Sequence, residues 1–195
     1  MSLKNLRDLK RRKNFRSIRK NFLIVCEGEK TETNYFNKFR VSKEIYGAGA
    51  NTESLVKIAI DLKNNAKIKF DKVWCVFDRD SFSPQNFNSA FILAKNNDIK
   101  IAYSNEAFEI WYLLHFNYHD SATSRRQYEA MLTERLGFQY KKNDNSMFDC
   151  LIHLQDDAIR NANKLLNSYV NRSPLNANPS TTVHILVQEL NQNSV

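Results

Sequence analysis

The run from Val73 to Asp80 constrains the fold of this chain more than any other stretch. Five apolar residues, rich in β-branched and aromatic side chains, stop abruptly at two aspartates, Asp78 and Asp80, that are two positions apart. A short apolar run bounded by charge predicts a strand that is buried on both faces. Because side chains alternate along a strand, Asp78 and Asp80 are expected to point the same way and Arg79 the other way.

Two carboxylates on one face at the end of a strand favour a bound cation. In an open parallel sheet, ligands bind at the carboxyl ends of the strands. Neighbouring carboxylates repel each other there unless a cation lies between them, and hard oxygen ligands suit Mg²⁺ or Mn²⁺. The alternative interpretation is an acidic turn between strand and loop that binds nothing.

A second stretch has the same form. The apolar run Asn21 to Cys26 predicts another short strand, and Glu27 follows it directly. Two strands joined by a helical crossover deliver their carboxyl ends to one edge, which can place Glu27 beside Asp78 and Asp80. A purely structural role explains such a cluster of three carboxylates poorly, because desolvated acids without partners are costly to bury.

A third acidic pair follows the fourth predicted strand. A helix predicted to begin at Ser104 or Asn105 carries Glu106 and Glu109 one turn apart on one face. Acids are also favoured at a helix N-terminus by the helix dipole, so this pair has a purely structural interpretation as well. Its position at the same edge of the sheet makes both residues candidates for the site.

The order of elements predicts an α/β fold with a mainly parallel sheet of about four strands, flanked by helices on both faces. From Asp120 onward the pattern is helical and polar, and Ser180 is predicted to cap the last helix. We therefore expect three parts, namely a basic N-terminal arm (1–20), an α/β core (21–118) and a helical C-terminal extension (119–195).

Positive charge is concentrated in the arm. Residues 1–20 hold nine of the 29 Lys and Arg residues but one acid, Asp8, so the arm accounts for the whole net charge of +8. A cationic arm on a neutral body favours a polyanionic partner, most simply DNA or RNA. The alternative is a solvated terminus without a partner. The candidate nucleic-acid contacts are Lys10, Arg11, Arg12, Lys13, Arg16, Arg19 and Lys20.

The cysteines and the hydropathy pattern predict a cytoplasmic protein. Cys26 and Cys75 lie inside apolar strands, Cys150 lies in a helical region, and no CxxC pair is present. This pattern favours free thiols in a reducing compartment and argues against structural zinc. No apolar run approaches the roughly 18 residues that cross a membrane, and no signal peptide is visible.

Four motifs in this order resemble the RloB-like family, and the resemblance covers nearly the whole chain from about Arg12. The motifs are Glu27-Gly28-Glu29-Lys30-Thr31-Glu32-x-Asn34-Tyr35-Phe36, Phe77-Asp78-Arg79-Asp80, Asn105-Glu106-Ala107-Phe108-Glu109-Ile110-Trp111 and Asn178-Pro179-Ser180-Thr181-Thr182-Val183-His184. Proteins of this family are found beside bacterial restriction and abortive-infection genes and are thought to act in defence against phage. Their core is similar to the Toprim domain of topoisomerases, primases and OLD-type nucleases. The resemblance therefore implies a Toprim-like core.

The resemblance also implies roles for individual acids. In Toprim enzymes a glutamate after the first strand and an Asp-x-Asp pair after a later strand bind Mg²⁺ and act on phosphodiesters, and these roles fall on Glu27, Asp78 and Asp80. OLD-type nucleases carry a further acid close behind the first glutamate, and Glu32 is its approximate counterpart. Another defence protein encoded nearby is a candidate partner besides nucleic acid.

The first functional hypothesis is a metal-dependent nuclease. Two divalent ions about 3.5–4 Å apart would clamp the scissile phosphate, and Glu27 would bind metal or act as general acid or base. Glu106 and Glu109 would complete or orient the metal shell. Lys30 or Arg79 would neutralise developing phosphate charge, with Arg79 the weaker candidate because alternation turns it away from the acids.

Two alternatives remain open. In the first, the arm binds nucleic acid and the acids bind metal or an effector without catalysis. In the second, the chain is a haloacid-dehalogenase-like phosphatase. In that family the nucleophile motif also resembles an apolar strand that ends in Asp-x-Asp. The phosphatase is disfavoured because its Asp pair normally follows the first strand, and because no convincing acidic metal motif lies downstream.

Overall fold

The structure is a computed structural model that describes residues 19–79, 83–169 and 174–194. Within these residues, four parallel strands lie in the order β2-β1-β3-β4. A short strand β5 pairs antiparallel with the carboxyl end of β4. The strands are β1 (Asn21–Cys26), β2 (Ser42–Gly47), β3 (Lys72–Asp78), β4 (Lys100–Asn105) and β5 (Ser180–Thr181). The predicted α/β class and mainly parallel sheet are confirmed.

Eight α-helices within the described residues surround this sheet. They are α1 (Thr31–Asn37), α2 (Thr52–Asn65), α3 (Pro84–Asn96), α4 (Glu109–Leu113), α5 (Arg125–Leu136), α6 (Met147–Leu151), α7 (Gln155–Asn167) and α8 (Val183–Asn193). No helix in the described part of the chain is long and apolar enough to cross a membrane.

The two central strands bury side chains on both faces, as their apolar sequences predict. On one face, Leu23 and Val25 pack with α2 and α3. On the other, Phe22, Ile24 and Trp74 pack with α1, α4, α5, α7 and α8. Each fully buried side chain of this size contributes about 1.5–3 kcal/mol. The helices that follow residue 119 therefore share a core with the sheet.

The register of the central strands places their acidic ends side by side. β1 and β3 are parallel neighbours, with Val25 opposite Cys75 and Cys26 opposite Val76. Cys26 and Cys75 are both buried and free of disulfides. Both features were predicted from the sequence. Glu27 and Asp78, one at the end of each strand, consequently lie at the same edge of the sheet.

The structure corrects two predicted helix starts. The helix expected at Ser104 or Asn105 begins at Glu109, because Ser104 and Asn105 continue β4 and pair with β5. The last helix begins at Val183, and its N-cap is Thr182 rather than Ser180. In both places a local capping signal competes with strand pairing between segments far apart in sequence, and the pairing prevails.

Glu189 ties the last helix to the sheet at the opposite edge from the acids. Its carboxylate accepts a hydrogen bond from Trp74 Nε1 at 2.9 Å, and it contacts Lys100 Nζ at 3.1 and 3.2 Å and Lys72 Nζ at 3.2 Å. Burial alone would raise the pKa of Glu189, but these hydrogen bonds outweigh burial and lower the pKa. The folded state therefore favours the ionised carboxylate.

We expect Glu189→Gln to lower the free energy of unfolding by about 1 kcal/mol at pH 7, since the ion pairs with Lys72 and Lys100 are lost and the hydrogen bond from Trp74 is weakened. Because the folded pKa is depressed, this stabilisation is present above the unfolded pKa of about 4.3 and is lost as the pH falls through the folded value. Urea unfolding at pH 7 and pH 3.5 measures both. Glu53→Gln is the control, because Glu53 pairs with Lys57 on an exposed helix face. Equal losses for the two variants would contradict a structural role for Glu189.

Candidate functional site

A polar pocket of about 460 Å³ lies at the carboxyl ends of β1 and β3. Acids from three separate segments line it, together with two lysines. These residues are Glu27, Glu29, Glu32, Asp78, Glu109, Lys30 and Lys142. The pocket therefore forms where adjacent parallel strands end, the position at which open α/β sheets bind ligands.

Glu27 is held by the strands on both sides. Its N–H donates to Val76 O at 2.8 Å and its carbonyl accepts from Gly49 N–H at 3.1 Å, so both neighbouring ladders extend through it. Its carboxylate Oε2 accepts from the N–H of Asp78 at 3.0 Å. The carboxylate of one strand end is thus hydrogen-bonded to the backbone of the next.

Three other acids of the pocket, Glu27, Glu32 and Glu109, act on the Asp78 carboxylate. Burial, followed by the charges of Glu32 and Glu109, raises the pKa of Asp78 well above its usual range, while Arg125 opposes that rise. The Arg125 Nη2 atom lies 3.2 Å from Asp78 Oδ2. Like charges packed around a carboxylate favour its neutralisation, either by a proton or by a cation.

Glu32 reaches the pocket by folding back over the turn that follows β1. Although it belongs to α1, its side chain is buried, and its Oε2 lies 1.9 Å from the position that a Cβ atom on Gly28 would take. Burial, opposed by a hydrogen bond from its own backbone N–H, raises the pKa of Glu32, and the charge of Glu109 adds to the rise. Gly28 is needed here because any side chain would displace this carboxylate.

We expect Gly28→Ala to expel the Glu32 carboxylate from the pocket with little effect on folding. The clash is with the far end of a flexible side chain, so the free energy of unfolding should change by less than about 1 kcal/mol. The pKa of Glu32 should fall back toward its usual value, which a carbon-13 NMR titration of the side-chain carboxyl measures.

Gly47→Ala is the comparison variant, since its Cβ would meet backbone, at 2.6 Å from Glu29 Cα. The backbone cannot move aside in the same way, so Gly47→Ala should destabilise the protein by about 1–3 kcal/mol. An unchanged Glu32 titration in Gly28→Ala would contradict the described position of that carboxylate.

Of the third predicted acidic pair, Glu109 lines the pocket and Glu106 does not. Glu109 opens α4, is buried, and accepts a hydrogen bond from the Tyr140 hydroxyl at 3.1 Å. Glu106 precedes the helix and is absent from the pocket lining, although its charge adds to the effect of burial in raising the pKa of Tyr128. The predicted one-turn spacing on a shared helix face is therefore wrong, because α4 begins at Glu109.

The lysines enter the pocket from two elements. Lys30 is exposed at the start of α1, and Lys142 belongs to the loop between α5 and α6. That loop is tied to α1 through Asn143, whose Oδ1 accepts from Thr31 Oγ1 at 2.9 Å and whose carbonyl accepts from Asn34 Nδ2 at 3.2 Å. These contacts place the Lys142 side chain, which belongs to the helical extension, in the same pocket as the acids.

The donor set suits a hard divalent cation. Carboxylate oxygens are the ligands that Mg²⁺ and Mn²⁺ prefer. Burial, together with repulsion between neighbouring acids, raises the pKa of Asp78 and Glu32, and a cation would offset both effects. Among the described residues, no three His, Cys, Asp or Glu side chains are grouped closely enough to hold a metal ion. Asp80, the second acid of the predicted pair, lies outside the described residues.

Other predicted residues can be placed in part. The guanidinium of Arg79 lies 5.6 Å from the centre of the Phe87 ring on α3, so it is turned toward the helix as strand alternation predicts. In the arm, Arg19 and Lys20 are exposed. Lys10, Arg11, Arg12, Lys13 and Arg16 lie outside the described residues.

Apart from Glu29, which follows β1 and lines the pocket, the residues that sequence reasoning missed come from the helical extension. Arg125, Tyr140, Lys142 and Asn143 follow the acids by tens of residues, and none belongs to a recognisable motif. Polar residues at the start of a helix or in a loop are common on protein surfaces, so their types carry no specific signal. Their position depends on how the extension packs against the sheet.

A family-level comparison covers most of the chain. The family model described as RloB-like protein matches residues 22–190, which include the sheet, the acidic pocket and most of the extension. No curated protein and no solved structure matches the chain significantly.

Proposed function

Because the chain belongs to the RloB-like family, we propose that it is a Mg²⁺- or Mn²⁺-dependent nuclease with a Toprim-like core that acts in bacterial defence against phage. One observation carries the enzymatic part of this proposal. Glu27, Glu32, Asp78 and Glu109 meet around one pocket although they come from three segments of the chain. The defence role rests on the family resemblance of the four sequence motifs.

The surroundings of each acid suggest its role in metal binding or proton transfer. Glu27 and Asp78, fixed at adjacent strand ends, would hold the cation together with Asp80, and Glu32 or Glu109 would complete or orient its shell. A divalent cation in this position stabilises charge on a phosphodiester and lowers the pKa of a bound water. Glu27 would bind the cation or act as a general acid or base toward water or a leaving oxygen.

Cations beside the acids supply the complementary charge. Lys30 and Lys142 line the same pocket, where they would bind the non-bridging oxygens of the substrate and draw a polyanion toward an otherwise acidic site. The arm would bind the rest of the strand through phosphate contacts that are independent of sequence. We place this activity in the cytoplasm, where phage nucleic acid is found during infection.

The test is cleavage of end-labelled single-stranded DNA, duplex DNA, single-stranded RNA and tRNA by the purified protein. We expect products with Mg²⁺ or Mn²⁺ and none when EDTA is present. A parent protein that binds these strands but never cuts them, with either metal and with proteins encoded nearby added, would contradict the nuclease and favour a non-catalytic binding module.

A further inference from the structure

Arg125 contacts the acidic pocket from outside the α/β core. It is the first residue of α5, and its Nη2 atom lies 3.2 Å from Asp78 Oδ2. The Arg125 side chain is one-third exposed, whereas the Asp78 side chain is only 13 % exposed. The guanidinium therefore covers a carboxylate that is nearly buried while remaining open to solvent on its own outer side.

The first turn of α5, which carries Arg125, is anchored in two ways. Ser124 is the N-cap residue of α5, and Gln127 Oε1 accepts hydrogen bonds from the Ser124 N–H at 3.0 Å and from its hydroxyl at 2.7 Å. The buried side chains of Tyr128 and Leu132 fix the same helix in the core. A change of partner at this position therefore needs only a rotation of the long Arg125 side chain.

We propose that Arg125 is a phosphate-binding residue that the metal-free protein holds on Asp78 and releases to the substrate when a divalent cation takes that carboxylate. This inference rests on the proposed function. A divalent cation repels the guanidinium and competes with it for the same oxygen. The released guanidinium offers a planar fork that matches two phosphate oxygens, whereas Lys30 and Lys142 offer point charges. Cation binding and strand binding should consequently reinforce each other.

The first measurement is the coupling between cation and strand, with Ca²⁺ in place of Mg²⁺ so that the strand stays intact. A fluorescent oligonucleotide is titrated with and without Ca²⁺ for the parent, Arg125→Ala and Arg126→Ala. Arg126 is the matched control, because it is the next residue on the same helix and is exposed. We expect Ca²⁺ to tighten strand binding about tenfold less in Arg125→Ala than in the parent, and equally in the parent and Arg126→Ala.

The second measurement is cation affinity without nucleic acid, by calorimetry with Mn²⁺. Arg125→Ala should bind Mn²⁺ several-fold more tightly than the parent, because no guanidinium has to be displaced from Asp78. The change in Arg126→Ala should be smaller, although it loses the same charge. Arg125→Lys should lie between Arg125→Ala and the parent in strand coupling, since it keeps the charge and loses the fork. Arg125→Gln replaces the alanine variant if circular dichroism shows that the latter is unfolded.

The outcomes separate this inference from the nuclease proposal. Equal coupling and equal Mn²⁺ affinity in the Arg125 and Arg126 variants would overturn the role of Arg125 while leaving the nuclease intact. Failure of the parent to bind Mn²⁺ or to cut any strand would overturn the nuclease. A parent that shows the coupling without cutting supports the Arg125 exchange in a binding module.

Discussion

Asp78→Asn is expected to abolish metal-dependent cleavage, with a loss of about 10²-fold or more. The change removes the carboxylate charge at the centre of the acidic pocket and keeps nearly the same shape. The backbone N–H of Asp78 still donates to Glu27, so the two strand ends stay joined. Single-turnover cleavage of a labelled strand, followed with Mg²⁺ and with Mn²⁺, measures the effect.

The same variant should remain folded. Losing the contact with Arg125 is offset by relief of the repulsion from Glu32 and Glu109, so the free energy of unfolding without metal should change by about 1 kcal/mol or less. Mn²⁺ should stabilise the parent against urea, because it binds the folded state, and should stabilise Asp78→Asn much less.

Asp61→Asn is the control for both measurements, since Asp61 is exposed on α2 and lines a different pocket from the acids. It removes the same charge and should cut strands like the parent. If Asp78→Asn cuts as fast as Asp61→Asn, the acidic pocket is not the place where the chemistry occurs.

Removal of residues 1–20 should have the second large effect, on affinity rather than on chemistry. The arm carries the whole net charge of the chain, and each phosphate contact contributes roughly −0.9 to the slope of log affinity against log salt. Loss of about five contacts would flatten that slope by about 4.5 and weaken binding about 10²-fold or more at low salt. Fluorescence anisotropy across a salt series measures both quantities.

Two variants of the arm distinguish the effect of its charge from the effect of its sequence. An arm with every Lys and Arg replaced by Gln should behave like the deletion, whereas a scrambled arm with unchanged composition should bind like the parent. Single-turnover cleavage at saturating strand should persist in all three proteins. An unchanged salt slope after deletion would show that the arm does not bind phosphates.

Local pattern was enough to predict the parts of the site that depend on single strands. The apolar runs before Glu27 and Asp78 set two buried parallel strands, and adjacency of such strands brings their ends together. Glu109 was also placed correctly near this edge. Glu106 also follows the carboxyl end of β4, but it does not line the pocket. Its predicted place on one helix face with Glu109 was wrong, because the start of α4 depends on how far β4 continues, and pairing with β5 decides that rather than the capping residues nearby.

The rest of the site depends on contacts between distant segments. Arg125 meets Asp78 across 47 positions and Asn143 meets Thr31 across 112. The amphipathic pattern of a helix shows which face is buried, but it does not specify which element covers that face or which residue at its end reaches the pocket. A two-residue strand such as β5 is likewise too short to leave a periodic signal.

The place of α8 in the fold has a consequence for how the protein is made. Leu186, Val187 and Leu190 of α8 pack in the same core as Phe22 and Trp74, so residues near both ends of the described chain are needed to close one face of the sheet. Synthesis runs from the N-terminus, so in a nascent chain the part of this face that α8 covers stays exposed until α8 has left the ribosome. A product of interrupted translation that ends before Ser180 would be a substrate for cellular proteases instead of a folded protein.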